Sequence, residues 1–446
     1  MKLSLLNTKK SSISFVITAT TCILFVFCSQ RQPAEKMLHK LSLKQVHEDF
    51  FEMTKKIEQN IPEPYYHCTK AGYDSVKSSI YNTLKDGMTI HETYRAFYPL
   101  VQFLNDAHFS IHLPDQLIIN ENISYFPLRI IIEQDKLYVL EDLSTFKQIG
   151  KGEEIKFINN ISIKDILKRI KGTDYKEIND LTFFAYRTET VFHKRLYPLF
   201  GFNETFTVKT ADKIYHLNGI PAERFKIDLK ESFEFKILEP EIGYLKINNL
   251  VYETPEQRNQ LKKALDRHFK TLRIQSINKL IVDIRGNLGG SSVLAKDILD
   301  YFANTPYTLS VGADYLHQGK PRYSAVNQMH NPTIGENKYH GNVVLISDVL
   351  TYSSAHMMQV GFKHYDMGIT IGQKSSESLY ITGEIKQHFL KNSKIELIAP
   401  TVNFRLPGYA KDQRGYYIPD HVLYPSVAER LQGKDIFLYR AVDLLK

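Results

Sequence analysis

The pattern of hydrophobic and polar positions divides the chain into three regions with different periodicities. Apolar residues first recur at helical spacing, and Thr89 is placed to cap the last of these segments. From residue 127 apolar and polar residues alternate as in half-buried strands, and from about residue 233 strands alternate with helices. The helical spacing covers residues 41–60, 71–85 and 89–104. We predict an α+β multidomain chain with a helical domain at 41–115, a β-rich domain at 116–225 and an α/β domain at 230–446.

The middle region carries a hairpin pattern followed by a strand, a turn and a short helix. Two apolar runs flank Gln134 and Asp135, which predicts two antiparallel strands joined at that turn. Residues 149–160 then turn at a pair of asparagines before a short helix at 163–170. This segment resembles the "GDEIxxING" segment of PDZ-like domains, which implies binding of an extended peptide along a sheet edge. A generic β-hairpin module is the alternative.

A buried strand, a tight turn and a helix succeed one another in residues 341–372. The apolar run 343–346 predicts a strand buried on both faces, and the residues 351–356 (TYSSAH) lead into an apolar-periodic helix. This order places a serine hydroxyl at a helix N-terminus, where unpaired N–H groups stabilise a developing oxyanion. Serine and threonine are also the ordinary N-cap residues, so this motif needs support from elsewhere in the chain.

A second strand, at residues 279–284, runs directly into the glycine-rich turn RGNLGGSS at 285–292. The turn is not GxGxxG and lacks the Gly-Lys-Ser/Thr of a phosphate-binding loop, which argues against nucleotide binding. Glycines beside a strand end do present bare backbone N–H groups, as an oxyanion hole requires.

These motifs together resemble peptidase family S41, the C-terminal processing and tricorn-like serine proteases. The segment 280–290 (LIVDIRGNLGG) is similar to "DLRGNGGG", the residues from Thr351 to "TxSxAE", and 372–377 to "GExTxG". Residues 105–108 (NDAH) are similar to the "DGHT" motif of the branch that uses histidine, and Pro419-Asp420 to the closing "PD". The resemblance covers nearly all of the chain after residue 40. It implies a ClpP/crotonase-like α/β protease core at 230–446, polypeptide substrates, and no metal or organic cofactor.

The resemblance also implies a role for individual residues. Ser353 falls on the nucleophile and His108 on the general base, since the lysine position of the other branch is occupied by Ser378. Asp412 would orient the histidine, with Asp420 as the substitute. The oxyanion hole would be formed by the N–H groups of Ser354 and of Gly289 or Gly290. The other candidate histidines are His112, His356 and His364.

The sequence departs from the family pattern at several positions, which keeps a second hypothesis open. Leu288 stands where the family has glycine, His356 where it has glutamate, and residues 374–377 where it has a Pro-Thr-Gly-Gly-like run. We favour an exported serine endopeptidase. The alternative is a catalytically inactive relative that captures peptides in the cell envelope, and a third class is an envelope protein for carbohydrate or lipid surfaces.

The N-terminal residues resemble an export signal. Three lysines precede the apolar run 13–27, which is short for a membrane span, and Cys28 follows as in bacterial lipoproteins. We predict a signal at 1–28, a tether at 29–40, lipidation at Cys28 and residence in the periplasm or outer envelope. The formal charge of +8 falls to about +5 without the three leader lysines, which argues against nucleic acid as a partner. Cys68 is the only cysteine beyond Cys28, so no disulfide can form between residues of the mature chain.

Overall fold

The structure is a computed structural model that describes residues 40–114, 117, 123–171, 181–225, 231–326, 328–332, 335–411 and 415–446. The predicted export signal and Cys28 lie outside these residues. Within the described part, every helix is too short or too polar to cross a membrane.

The described helices are α1 (Leu43–Asn60), α2 (Lys70–Thr83), α3 (Ile90–Leu104), α4 (Ile163–Lys171), α5 (Leu181–Phe200), α6 (Pro255–Ile274), α7 (Ser292–Leu299), α8 (Ser354–His364), α9 (Val427–Gln432) and α10 (Ile436–Leu445). The first ten strands are β1 (Ser110–His112), β2 (Leu128–Glu133), β3 (Lys136–Asp142), β4 (Glu154–Ile155), β5 (Phe157–Ile158), β6 (Ile161–Ser162), β7 (Thr205–Lys209), β8 (Ile214–Asn218), β9 (Phe233–Glu239) and β10 (Ile242–Ile247). The others are β11 (Lys279–Asp283), β12 (Gly312–His317), β13 (Lys320–Ala325), β14 (Asn342–Ser347), β15 (Ile369–Gly372), β16 (Tyr380–Gly383), β17 (Lys386–Phe389), β18 (Glu396–Ala399), β19 (Val402–Arg405) and β20 (His421–Val422). The predicted α+β multidomain fold is confirmed.

Three N-terminal helices pack into one core with a hairpin from the far end of the chain. Capping boxes at Ser42 and Thr89 start α1 and α3, and Asn105 ends α3 in the left-handed conformation. Strand β1 pairs antiparallel with β18, and the hairpin β17–β18 lends apolar side chains to the helical core. The predicted helical domain at 41–115 therefore does not contain its whole core, because part of that core comes from the hairpin β17–β18.

The middle unit consists of two small antiparallel sheets and two helices around a shared core. The predicted hairpin is present as β2 and β3, and β4 extends its sheet. The second sheet has the order β6-β5-β7-β8, and α4 follows β6 directly. Apolar residues of α4, α5 and both sheets form one cluster.

A six-stranded sheet forms the C-terminal core and determines where the candidate chemistry lies. Its order is β20-β15-β14-β11-β10-β9, parallel except for the pair β9–β10. Helices α6, α7 and α8 cover one face and α10 covers the other. Helix α6 starts with a capping box at Thr254, directly ahead of Pro255. Strands β11 and β14 are neighbours, so the turns after their carboxyl ends lie side by side.

Helix α5 of the middle unit contacts the turn that precedes α8. Phe183 at its start packs against Val349 and Tyr352. Further along, both oxygens of the Glu189 carboxylate accept hydrogen bonds from Arg430. A partly buried bidentate ion pair of this kind fixes the orientation of α5 relative to α9.

Candidate active site

Ser353 occupies the position between the turn after β14 and the first residue of α8. Its backbone is at φ 53° and ψ −127°, a region that residues with a side chain rarely adopt, and its hydroxyl makes no helix-capping hydrogen bond. Such backbone strain is concentrated at functional sites. The Ser353 N–H donates to the buried carboxylate of Glu377. The preceding turn is held by Thr351, whose hydroxyl donates to the carbonyl of Ile284 over 3.1 Å. The hydroxyl of Ser353 is therefore presented by a rigid turn.

The glycine-rich turn after β11 lies directly against this serine. Asn287 organises it: its side-chain amide donates to the Ile247 carbonyl over 3.0 Å, and its own carbonyl accepts the Tyr352 N–H over 2.9 Å. Gly289 has φ +97°, and a Cβ there would lie 2.8 Å from the Cβ of Ser353. Only glycine fits this close approach.

Some of the backbone N–H groups beside Ser353 already donate a hydrogen bond within the protein, and others do not. The Gly289 N–H donates to the side-chain oxygen of Asn287 over 2.9 Å. Within the described part of the chain, neither the Ser354 N–H nor the Gly290 N–H donates a hydrogen bond. Of the two glycines considered from the sequence, Gly290 is thus the one with a donor available for an oxyanion.

His108 comes from the other end of the chain, in the turn between α3 and β1, and reaches the same place. Its ring centroid is 5.4 Å from that of Tyr352, and its Nδ1 is 3.9 Å from Oε1 of Glu377. Nδ1 also lies 3.1 Å from the hydroxyl of Thr382 on β16. Its Nε2 is buried and has no hydrogen-bond partner among the described residues. Nδ1 of His108 thus has a hydrogen-bonding neighbour, whereas Nε2 is available to a substrate or to another side chain.

Burial controls the charge of the groups around His108. It lowers the pKa of His108 to about 4, which leaves the imidazole neutral and basic at neutral pH. Burial also raises the pKa of Asp106 to about 6, against the opposing effect of hydrogen bonds from the His108 N–H and the Thr382 hydroxyl. Asp106 is consequently ionised at neutral pH but close to its titration.

Asp412 and Asp420 are the two acids that the sequence analysis considered as partners of His108. Asp412 lies outside the described residues, so its role stays a prediction. The carboxylate of Asp420 accepts hydrogen bonds from Lys363 and Thr370, at 2.6 and 2.7 Å. Among the described residues, no hydrogen bond or ion pair joins Asp420 to His108. Asp420 thus anchors the start of β20 to β15 in this structure.

The other candidate histidines have different surroundings. His356 is fully buried in α8, with Nε2 3.0 Å from the Ser378 carbonyl and Nδ1 2.8 Å from the Gln359 amide. Burial lowers its pKa to about 4, so it serves as a neutral linker of α8 to the segment that carries Glu377. His112 is exposed with Nε2 2.9 Å from the Ser110 hydroxyl, and His364 stacks edge-on against Tyr365.

Sequence reasoning gave no role to three side chains that surround His108: Asp106, Glu377 and Thr382. Asp106 and Glu377 stand inside recognised motifs, but neither motif assigns them a contact. Thr382 is 274 residues from His108, and no periodicity or spacing signals the contact between them. No group of three or more His, Cys, Asp or Glu is placed to hold a metal ion in the part of the chain that the structure describes.

Comparison with known proteins gives matches in overall fold. Among solved structures, mature CPAF matches with a TM-score of 0.66 at 12% identity, over 91% of this chain and 97% of CPAF. The structure of mature CPAF in complex with lactacystin gives 0.65 at 12% identity, over 91% and 98%. The photosystem II D1 C-terminal processing protease gives 0.47 at 12% identity, over 86% and 94%. The likeness to CPAF shows a shared fold. No curated protein sequence matches the chain significantly.

A serine at a strained strand-to-helix turn, beside a glycine-rich turn and a neutral buried histidine, is an arrangement of the kind that serine-type hydrolases use. Residues 241–403 match the model of peptidase family S41, and this match supports a serine-type peptidase.

Proposed function

We propose that the chain is an exported serine endopeptidase that cleaves polypeptides through an acyl-enzyme on Ser353, with His108 as the general base. The observation that carries this proposal is the convergence of three distant segments. The turn before α8 presents Ser353, the turn after β11 packs against it through Gly289, and His108 lies against Tyr352 with a bare Nε2.

The proposed reaction uses only groups of this chain. Nε2 of His108 takes the proton of the Ser353 hydroxyl while the oxygen attacks the scissile carbonyl. The N–H groups of Ser354 and Gly290 stabilise the negative charge on the carbonyl oxygen. The protonated imidazole then gives its proton to the leaving amine. In the second half of the reaction His108 takes a proton from water, which attacks the acyl-enzyme, releases the acyl group and restores the Ser353 hydroxyl.

The experiment compares wild type with S353A and H108Q on an unfolded protein substrate and with a fluorophosphonate probe. We expect S353A to lose both hydrolysis and labelling, and H108Q to lower kcat/KM by at least about 10²-fold, the usual contribution of a general base. H112Q is the matched control, because it removes a nearby exposed histidine and should change neither reading. Undiminished turnover by S353A would defeat the mechanism. Well-folded wild-type protein that the probe does not label would favour an inactive peptide-binding relative.

Export and lipid anchoring are part of the same proposal and rest on the N-terminal sequence. Cys28 follows an apolar run and three lysines, as a lipidated cysteine does. We expect the wild-type chain to incorporate labelled fatty acid and to fractionate with membranes, and C28S to do neither. Incorporation that is unchanged in C28S would contradict the assignment.

A further inference from the structure

The hydroxyl of Thr382 stands between the imidazole of His108 and the carboxylate of Asp106. Its oxygen is 2.8 Å from Oδ1 of Asp106 and 3.1 Å from Nδ1 of His108. All three groups are largely buried, so water does not compete for these contacts. Thr382 comes from β16, an edge strand of the sheet β13-β12-β19-β16, whereas Asp106 and His108 share one turn. The bridge is therefore a tertiary contact that fixes two separate parts of the fold.

The hydrogen-bonding capacity of these groups determines where the protons lie. An ionised Asp106 carboxylate can only accept, and it already accepts the backbone N–H of His108 over 2.8 Å. The Thr382 hydroxyl must therefore donate its single proton to Asp106. Its oxygen can then only accept from the ring, which requires the proton of the neutral imidazole to be on Nδ1. Nε2 is left with a bare lone pair, as a base must have.

We propose that Thr382 is a positioning residue: its hydroxyl, held by Asp106, selects the Nδ1–H tautomer of His108 and directs Nε2 toward the nucleophile. This inference rests on the proposed functions of Ser353 and His108. It assigns the orientation of the histidine to a hydroxyl on β16 and an acid two residues before the histidine.

The other groups that face His108 do not supply this contact. Glu377, from the segment before β16, has Oε1 3.9 Å from Nδ1, too far for a hydrogen bond, and its Oε2 accepts the Ser353 N–H. Tyr352, from the turn before α8, contacts the imidazole through its ring. The Thr382 hydroxyl, at 3.1 Å, is closer to Nδ1 than the Glu377 carboxylate and lies within hydrogen-bond distance.

Two substitutions separate the hydroxyl from the shape of the side chain. T382V keeps the volume and the β-branch but removes the hydroxyl, and T382S keeps the hydroxyl. We expect T382V to lower kcat about 10- to 100-fold with KM within about twofold, because the base is disoriented while substrate binding is retained. T382S should recover most of kcat. Equal losses in both variants, or a T382V enzyme with wild-type kcat, would overturn the proposal.

A second measurement is independent of turnover. Nitrogen-15 NMR of protein with labelled histidine reports which ring nitrogen carries the proton, and H108Q identifies the signal of His108 by its disappearance. We expect Nδ1–H in wild type and T382S, and loss of that preference in T382V. An Nε2–H tautomer in wild type would overturn the proposal. Because this reading needs no catalysis, it separates failure of the Thr382 bridge from failure of the peptidase mechanism, which S353A tests.

Discussion

Replacing Gly289 by alanine tests how closely the glycine-rich turn must approach Ser353, the proposed nucleophile. A Cβ at this position would lie 2.8 Å from the Ser353 Cβ, 2.8 Å from the Tyr352 carbonyl oxygen and 2.9 Å from the Ser354 nitrogen. Two of these neighbours are backbone atoms, which a rotamer change cannot move away. The turn and the start of α8 must therefore separate.

The magnitude follows from two contributions. Forcing alanine into φ +97° costs about 1–3 kcal/mol, and overpacking a filled site costs about 1–3 kcal/mol more. Gly286, in the same turn, offers a matched control: its φ is +72°, and a Cβ there would meet nothing within 4 Å. G286A should therefore lose only the conformational cost, about 1–2 kcal/mol.

Chemical denaturation, kcat/KM and the rate of fluorophosphonate labelling are measured for both variants. We expect G289A to lose more free energy of unfolding than G286A, and to lose at least about 10²-fold in kcat/KM, since a displacement of about 1 Å at the reacting atoms has that effect. G286A should retain its labelling rate. Equal activity and stability in the two variants would refute the close contact between Gly289 and Ser353.

Two further predictions concern pH. Burial raises the pKa of Asp106 to about 6 and lowers the pKa of His108 to about 4. We therefore expect kcat/KM of the wild type to fall as pH decreases through about 6, and kcat/KM of D106N to fall only as pH approaches about 4. Identical acid limbs in the pH profiles of wild type and D106N would contradict this. Burial opposes ionisation of Asp283, but Arg285 and Lys246 outweigh it and lower its pKa, so its stabilisation is present above the ordinary value of about 3.9 and is lost as pH falls below it. D283N should cost about 3–5 kcal/mol in denaturation at neutral pH, because it breaks a buried ion pair, and should flatten that acid dependence.

Local signals in the sequence were sufficient for some of the elements and for the order of the motifs. Thr89 caps α3 as predicted, because capping depends on side chains only three residues apart. The position of Ser353 before α8 was also predictable, since an apolar run and a turn precede an apolar-periodic helix. The likeness of 280–290 and 351–356 to S41 motifs led to the family whose model matches residues 241–403.

The sequence by itself thus indicated the N-terminal helices, the β2–β3 hairpin, the strands β11 and β14, the likeness to peptidase family S41 and the candidate nucleophile. The signals for these elements lie between residues a few positions apart. The tertiary structure alone decided that the hairpin β17–β18 completes the N-terminal core and that Thr382 and Glu377 surround His108. The tertiary structure also decided that the Gly289 N–H donates its hydrogen bond to the side chain of Asn287. Contacts between residues hundreds of positions apart leave no periodic trace in the chain, because they arise only when separately formed elements pack together.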